Sequence, residues 1–336
     1  MFFDTKLTVT INGKIINTVH SVKTKYDSKH IGSTCDIVVP LNSQISYKDG
    51  SHDFLPSYVL SDFAVGDPVN ITAEYPITGF GPVTIFNGTL FEFKEGTPCT
   101  IKCIDYLPLL GHIGNWNWKS VTLQTVVNTI LQGTGITPIL PMPSMTFVNL
   151  TFRLCSPWAA LTYIKKNLGL NIALMGNQLY VNVASNTLRK LIYRSDTNIY
   201  QCDLQQPDTI WQGFKVKAWF LQPSGERDSL EVGDSDGHLT EVYFYNVSGG
   251  LPVYTKLANQ ALIKIRQRKF SGTVHGYLYP DCQLFDQIQY TDIRYPDRSG
   301  NYVLTELSHD ISDKGFHRIM TWAFLQDVLN TPNTNG

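Results

Sequence analysis

At 336 residues, with 43% hydrophobic and 16% charged side chains, the chain carries enough apolar material for two or three packed domains and falls outside the disordered class. Its 27 Lys and Arg nearly balance 28 Asp and Glu, for a net charge of −1, so it lacks the global basic field that neutralises phosphates, and a nucleic-acid partner is disfavoured. Met1-Phe2-Phe3-Asp4-Thr5-Lys6 has neither the basic segment nor the apolar core of a secretory signal, and no apolar run reaches the length of a membrane span; a soluble, cytoplasmically made chain without a membrane anchor is expected.

In chain order, Leu7, Val9 and Ile11 alternate up to Asn12-Gly13, and Ile15 and Val19 continue beyond, which is the pattern of a β-hairpin. A strand from Thr34 to Val39 ends at Pro40. The polar, turn-rich stretch from Asn42 to Asp62 reads as a long loop or an extended hairpin. After the strand-rich stretch from Gly66 to Cys103, Ser120 can cap a helix whose apolar face is Leu123, Val126, Val127, Ile130 and Leu131, with Gly133 ending it. A second helix has Ser156 as N-cap, Pro157 at its first position and Gly169 as its left-handed terminator. A hairpin around Gly176-Asn177 completes a small α+β unit.

Beyond Leu191 strand character returns at Phe214 to Trp219 and Thr240 to Tyr245, separated by a polar loop from Gly225 to Gly237. A third helix, at about 255–267, carries Leu257, Ala261, Leu262 and Ile265 on one face. The boundaries expected are a first β module at 1–112 with a long loop at about 42–62, a small α+β domain at 113–190, a second β module at 191–327, and a flexible tail at 328–336.

The stretch from Phe285 to Trp322 echoes the stretch from Gly66 to Cys103. Asp67-Pro68-Val69, Tyr75-Pro76, Gly96 and Ile101 in the first have counterparts in Asp286-Gln287-Ile288, Tyr295-Pro296, Gly315 and Ile319 in the second. The separation from Asp67 to Gly96 equals that from Asp286 to Gly315. Two similar β modules per chain would let three chains present six similar units.

Catalytic and metal signatures are missing. Asp234, Asp236 and Glu241 cluster near Gly237, but neither aspartate starts a calcium-loop register, so a polar hairpin is preferred to a calcium site. The eight histidines form no HExxH or Cys/His cluster; His309 and His317 flank an expected turn and read as a surface cross-strand pair. Six sparse cysteines, without CxxC, read as reduced, mostly buried residues. No nucleophile elbow, SxxK or phosphate loop occurs. Glu92, Glu95, Asp105, Glu231, Asp286, Asp292 and Glu306 could supply a glycosidase pair only if the fold brought two together, and Trp116, Trp118, Trp211 and Trp219 could serve as sugar platforms or as core. Catalytic, cofactor and metal residues are therefore all expected to be none.

The order of elements, with Ser156-Pro157-Trp158-Ala159-Ala160-Leu161, Gly213-Phe214-Lys215-Val216, Tyr302-Val303-Leu304 with His309, and Gly315-Phe316-His317-Arg318, resembles the baseplate or tail hub proteins of contractile-tailed bacteriophages. These include late control D-like and Mu-type hubs and the hub portion of type VI secretion spike proteins. The resemblance covers nearly the whole chain. It implies a mainly β fold with an α+β insert: two related β-barrel modules separated by a small helix-containing domain. It further implies a non-enzymatic homotrimer, a pseudo-sixfold ring in the virion tail or baseplate. Such a ring joins a hexameric tail tube protein to a trimeric spike protein among other baseplate proteins, and uses no cofactor. The chain stops soon after its second module and shows no lysozyme-like segment, so the spike is expected to be a separate polypeptide. The competing class is a tail- or surface-associated carbohydrate-binding or peptidoglycan-degrading β protein.

Overall fold

The computed structural model describes residues 5–40, 43–46, 52–55, 63–76, 79, 81–94, 96, 98–182, 188–205, 213–221, 224–248, 250–266, 271–312 and 315–325. β1 (Lys6–Ile11) and β2 (Lys14–Ile16) form the first hairpin, and Asn12 and Gly13 at its tip take φ angles of 48° and 77°, the left-handed pair a two-residue turn demands. β3 (Ser21–Asp27) and β4 (Thr34–Val39) follow. The Asn42 to Asp62 excursion contributes a hairpin of β5 (Ser43–Ser46) and β6 (His52–Leu55) that extends the sheet beyond β2; its other residues lie outside those described. β7 (Pro68–Glu74), β8 (Val83–Lys94) and β9 (Cys99–Ile104) then run as an antiparallel meander.

The middle of the chain holds β10 (Gly114–Thr122), α1 (Leu123–Ile130), β11 (Thr137–Pro138), β12 (Thr146–Cys155), α2 (Pro157–Leu168), β13 (Asn171–Met175) and β14 (Gln178–Asn182). α2 starts and stops where its sequence says: the Ser156 hydroxyl accepts the Ala159 N–H at 3.2 Å, and Gly169 takes φ 63°. The cap of α1 is Thr122 and not Ser120, because Ser120 and Val121 still pair with Val148 and Phe147 across β10 and β12.

β15 (Lys190–Arg194), β16 (Ile199–Gln205), β17 (Phe214–Leu221), β18 (Arg227–Gly233), β19 (His238–Tyr245) and β20 (Val247–Ser248) come next, then α3 (Gly250–Arg266), β21 (Ser271–Gly276), β22 (Gln287–Thr291), β23 (Gly300–Ser312) and β24 (Gly315–Phe324). The stretch expected as a polar loop at Gly225 to Gly237 is largely β18, which flanks β17 opposite β19. Only Leu230 and Val232 of β18 turn inward, too short an apolar alternation to announce a strand. α3 begins earlier than expected, with Pro252 accommodated in its first turn.

The expected pair of β-barrels is not found. A single 15-stranded sheet runs from β16 to β6 without returning on itself, and no sheet among the described residues closes into a barrel. The cause is the edge of β3: residues Ser21 to Asp27 pair antiparallel with Glu306 to Ser312 of β23, so the first half continues into the second. Duplication is nonetheless written into the sheet. The order β1-β7-β8-β9-β4-β3 in the first half reappears as β15-β22-β23-β24-β21-β16 in the second, the difference being that β15 lies parallel to β22 whereas β1 lies antiparallel to β7.

The hydrogen bonds identify the true equivalences. Gly66 N–H donates to Leu90 O and Leu90 N–H to Asp67 O, both at 2.8 Å; Phe285 N–H donates to Leu304 O at 2.9 Å and Leu304 N–H to Asp286 O at 3.0 Å. Gly66 and Phe285 share positive φ, 98° and 68°, and the same bulge interrupts the next ladder, between Leu90 and Glu92 and between Leu304 and Glu306. The counterpart of Leu304 is therefore Leu90, not the Ile85-Phe86 region that even spacing implies. The equal separation from aspartate to glycine arises because the first copy has the longer connection before the bulge and the second has the longer hairpin after it.

Each half has its own core. Val9, Ile37, Ile71 and Phe86 pack in the first; Tyr193, Tyr290, Tyr302 and Trp322 pack in the second. A third core unites α1 and α2 with β17, β19 and α3 through Leu161, Val216, Phe220 and Leu257.

Candidate functional site

The structure's most specific polar arrangement sits at the joint between the halves. Thr24 of β3 lies opposite His309 of β23, which lies opposite Arg318 of β24, so three adjacent strands bring three polar side chains into one row. All three are buried, at 3%, 3% and 0% exposure. Thr24 Oγ1 is 2.8 Å from His309 Nδ1 and accepts the His309 backbone N–H at 3.2 Å. Arg318 Nε donates to His309 Nε2 at 3.4 Å, which places the imidazole proton on Nδ1. Burial and the adjacent guanidinium hold His309 well below the usual imidazole range, so it is neutral in the fold.

Arg318 is anchored by the Pro280 carbonyl at 2.6 Å, while its Nη2 has no hydrogen-bond partner among the described residues. Around this row the joint carries ion pairs of Lys29 with Glu306 at 3.0 Å and of Lys23 with Asp310 at 3.2 Å, both exposed enough to set register more than stability. Sequence reading singled out His309 but assigned no role to Thr24 or Arg318. The available signal was the alternation Phe316, Arg318, Met320, Trp322, which puts a cation on the apolar face of β24.

The other candidates do not converge. His317 pairs with Asp310 in register and faces away from His309, its Nδ1 lying 3.0 Å from the Tyr200 hydroxyl; the expected surface histidine pair is absent because neighbouring strand positions point to opposite faces. Asp234 accepts Phe214 N–H and pairs with Arg266, each at 2.9 Å, so its carboxylate ties β17 to the end of α3. The Asp234 to Gly237 turn carries the chain across the start of β17, not between two neighbouring strands.

Among the carboxylates, Glu92 pairs with Lys102 and Glu231 with Lys215 and Lys217. Asp105 accepts Ser33 N–H, Ser33 Oγ and Leu107 N–H, although burial still raises it to about 6. Asp286 is gripped by Arg189, and Asp292 accepts Tyr290 OH with the N–H groups of Arg294 and Tyr295. Glu306 belongs to the joint, and Glu95 lies outside the described residues.

No group of three or more potential metal ligands occurs among the described residues. Trp116 and Trp118 pack against the middle core, the Lys217 ammonium lies 4.7 Å from the Trp219 ring centre, and Trp211 lies outside the described residues. All six cysteines are free; Cys35 and Cys103 are register partners on β4 and β9. No helix among the described residues is long and apolar enough to cross a membrane.

No protein-family model and no curated protein matches the sequence. Solved structures do match over its length. A tail protein from Neisseria meningitidis MC58 superposes with a TM-score of 0.66 at 15% identity, covering 97% of each chain. The chain has a phage-tail-protein fold. The 43 kDa tail protein of prophage MuSo2 from Shewanella oneidensis gives a TM-score of 0.62 at 11% identity over 95% of this chain and 98% of that one. An Escherichia coli component of the type VI secretion system, itself described as structurally similar to the phage T4 tail proteins gp27 and gp5, gives 0.56 at 9% identity over 95% of this chain and 77% of that one. The tail-protein fold thus includes both halves of the duplicated sheet and the α+β unit between them.

Proposed function

We propose that the chain is a structural hub subunit of a phage tail or baseplate, or of a related injection machine, and that it has no catalytic role. Three copies form a ring with approximate sixfold symmetry that joins a hexameric tail tube to a trimeric spike. The observation that carries this reading is the duplicated six-strand order inside a fold shared, over its full length, with tail proteins. A chain that displays one unit twice can present a threefold assembly to one neighbour and a nearly sixfold surface to another.

The joint supports ring formation. β3 uses its outer edge to bind β23, whereas β16, its equivalent in the second half, has only β21 as a strand neighbour among the described residues. An edge occupied within the chain at one copy and left open at the other is what head-to-tail association between chains uses. The working division is a first β module at 1–112, an α+β unit at 113–190 onto which β17–β19 and α3 fold back, and a second β module over the rest of 191–327. Co-purification of the chain with tail tube and spike proteins from the same source, together with a peptidoglycan-hydrolysis assay, tests the proposal: a stable complex and no hydrolysis are expected, and hydrolysis by an unassembled chain would overturn it.

A further inference from the structure

A cleft of about 550 Å³ lies between the turn linking β3 to β4 and the outer face of α2. Its size is that of a binding pocket. Its walls carry Lys25, Lys29, His30, Lys165 and Lys166, against the single carboxylate of Asp27. Asp27 is already engaged, accepting the Lys29 backbone N–H at 2.8 Å, and the Lys29 ammonium is taken by Glu306. Lys25 and Lys166 are exposed and have no ion pair among the described residues. Trp158, 46% exposed, forms part of the wall beside them.

The cleft is held in shape by its own backbone. Lys165 Nζ donates to His30 O at 3.0 Å and Ile172 O at 2.8 Å, and Leu174 N–H donates to Ile31 O at 2.7 Å, fixing the turn to β13 and α2. Ser33 is pinned through Asp105, and a Cβ added at Gly32 would lie 2.9 Å from Leu107 Cδ2, so the turn fits closely against the residues after β9. Lys165 thus has two carbonyl partners and no ion pair among the described residues. Burial, and after it the nearby Lys264 charge, lower its pKa to about 8 against the opposing pull of Asp27.

We propose that this cleft is a docking slot for an acidic segment of a partner protein, whose carboxylates meet Lys25, Lys165 and Lys166 while an apolar side chain covers Trp158. The inference rests on the reading that the chain works inside a multiprotein assembly. Charge complementarity selects the occupant. A polynucleotide fits less well: the positive groups are confined to one cleft of a chain with net charge −1, and one of them, Lys29, is already paired with Glu306.

The test uses the full chain, a short fluorescein-labelled Glu/Leu peptide, a single-stranded oligonucleotide, and carbodiimide coupling of carboxylates to lysines read by mass spectrometry. The peptide is expected to couple to Lys25 and Lys166 ahead of other exposed lysines, and Lys25→Glu with Lys166→Glu is expected to weaken its binding roughly tenfold or more. Trp158→Ala is expected to weaken binding without changing the coupling sites. Coupling spread over lysines by exposure, binding unchanged in the double variant, or an oligonucleotide that binds equally well and displaces the peptide would each overturn the slot. Solution mass of the same samples separates the two ideas. An assembled chain that ignores the peptide leaves the hub reading standing, and a monomer that binds it in the cleft leaves the slot standing.

Discussion

Arg318 and His309 face each other across β24 and β23 with Nε and Nε2 3.4 Å apart, and neither meets a carboxylate among the described residues. Protonating His309 would remove the acceptor and set two cations side by side in the joint. Because the folded pKa lies well below the ordinary value of about 6.5, the unfolded chain binds more protons below that pH, and stability falls as pH drops through that window. The slope from this one group reaches at most ~1.4 kcal/mol per pH unit. Urea midpoints at neutral and mildly acid pH, compared for the wild type and His309→Gln, should show a smaller acid loss in the variant; equal losses would mean that His309 does not titrate in the joint.

The equivalent aspartates of the two copies should differ in what they hold. Asp67 accepts Ala64 N–H at 2.8 Å near the surface; Asp286, fully buried, accepts Gln283 N–H at 2.8 Å and also binds Arg189 through both oxygens. Asp67→Ala should cost about 1 kcal/mol, and Asp286→Ala more, about 1–3 kcal/mol, because it leaves the Gln283 N–H without its acceptor while the partly exposed Arg189 keeps Asp281. Chemical denaturation of the two variants checks the ranking, and equal costs would contradict it.

Helix α2 is held at both ends. Ser156→Ala should cost about 1 kcal/mol through loss of the Ala159 bond, and Gly169→Ala a similar amount because φ 63° disfavours a Cβ. α3 caps the far end: the Gln260 amide donates to Leu168 O at 3.2 Å and to Gly169 O, while its own Oε1 is buried without a hydrogen-bond partner among the described residues. Thermal melts of the single and double variants should show the Ser156 and Gly169 effects adding, since the two sites share no partner.

Much of this was legible because it is local. Asn12-Gly13, Ser156-Pro157 and Gly169 each impose a backbone geometry on their own neighbours, and the structure shows each in place. The open sheet was not legible. Whether a strand edge closes a barrel or binds another module depends on which distant edge reaches it, and β3 meets β23 across almost the whole chain. The repeat was visible but misaligned, since aspartate and glycine positions matched while the bulges at Leu90 and Leu304 marked the real correspondence. The row of Thr24, His309 and Arg318 needed three strands in register, which no single segment encodes.

Two lysines near the end of α2 give a second pH signature, of the same sign as that of His309 but in an alkaline window. Burial lowers Lys264 to about 8, and burial with the Lys264 charge lowers Lys165 to about 8. Between pH 8 and the ordinary lysine value of about 10.4 the unfolded chain binds more protons, so their contribution to stability rises with pH. Lys264→Met should flatten that rise in melts taken from pH 8 to 10, and an unchanged pH dependence would contradict the assignment.

The proposed ring is tested most directly by the solution mass of the intact chain, measured by light scattering alone and with tube and spike proteins from the same source. The mass of three chains is expected, retained in the complex with both partners. A mass of one chain under all of these conditions would contradict the ring, and with it the role assigned to the duplicated sheet.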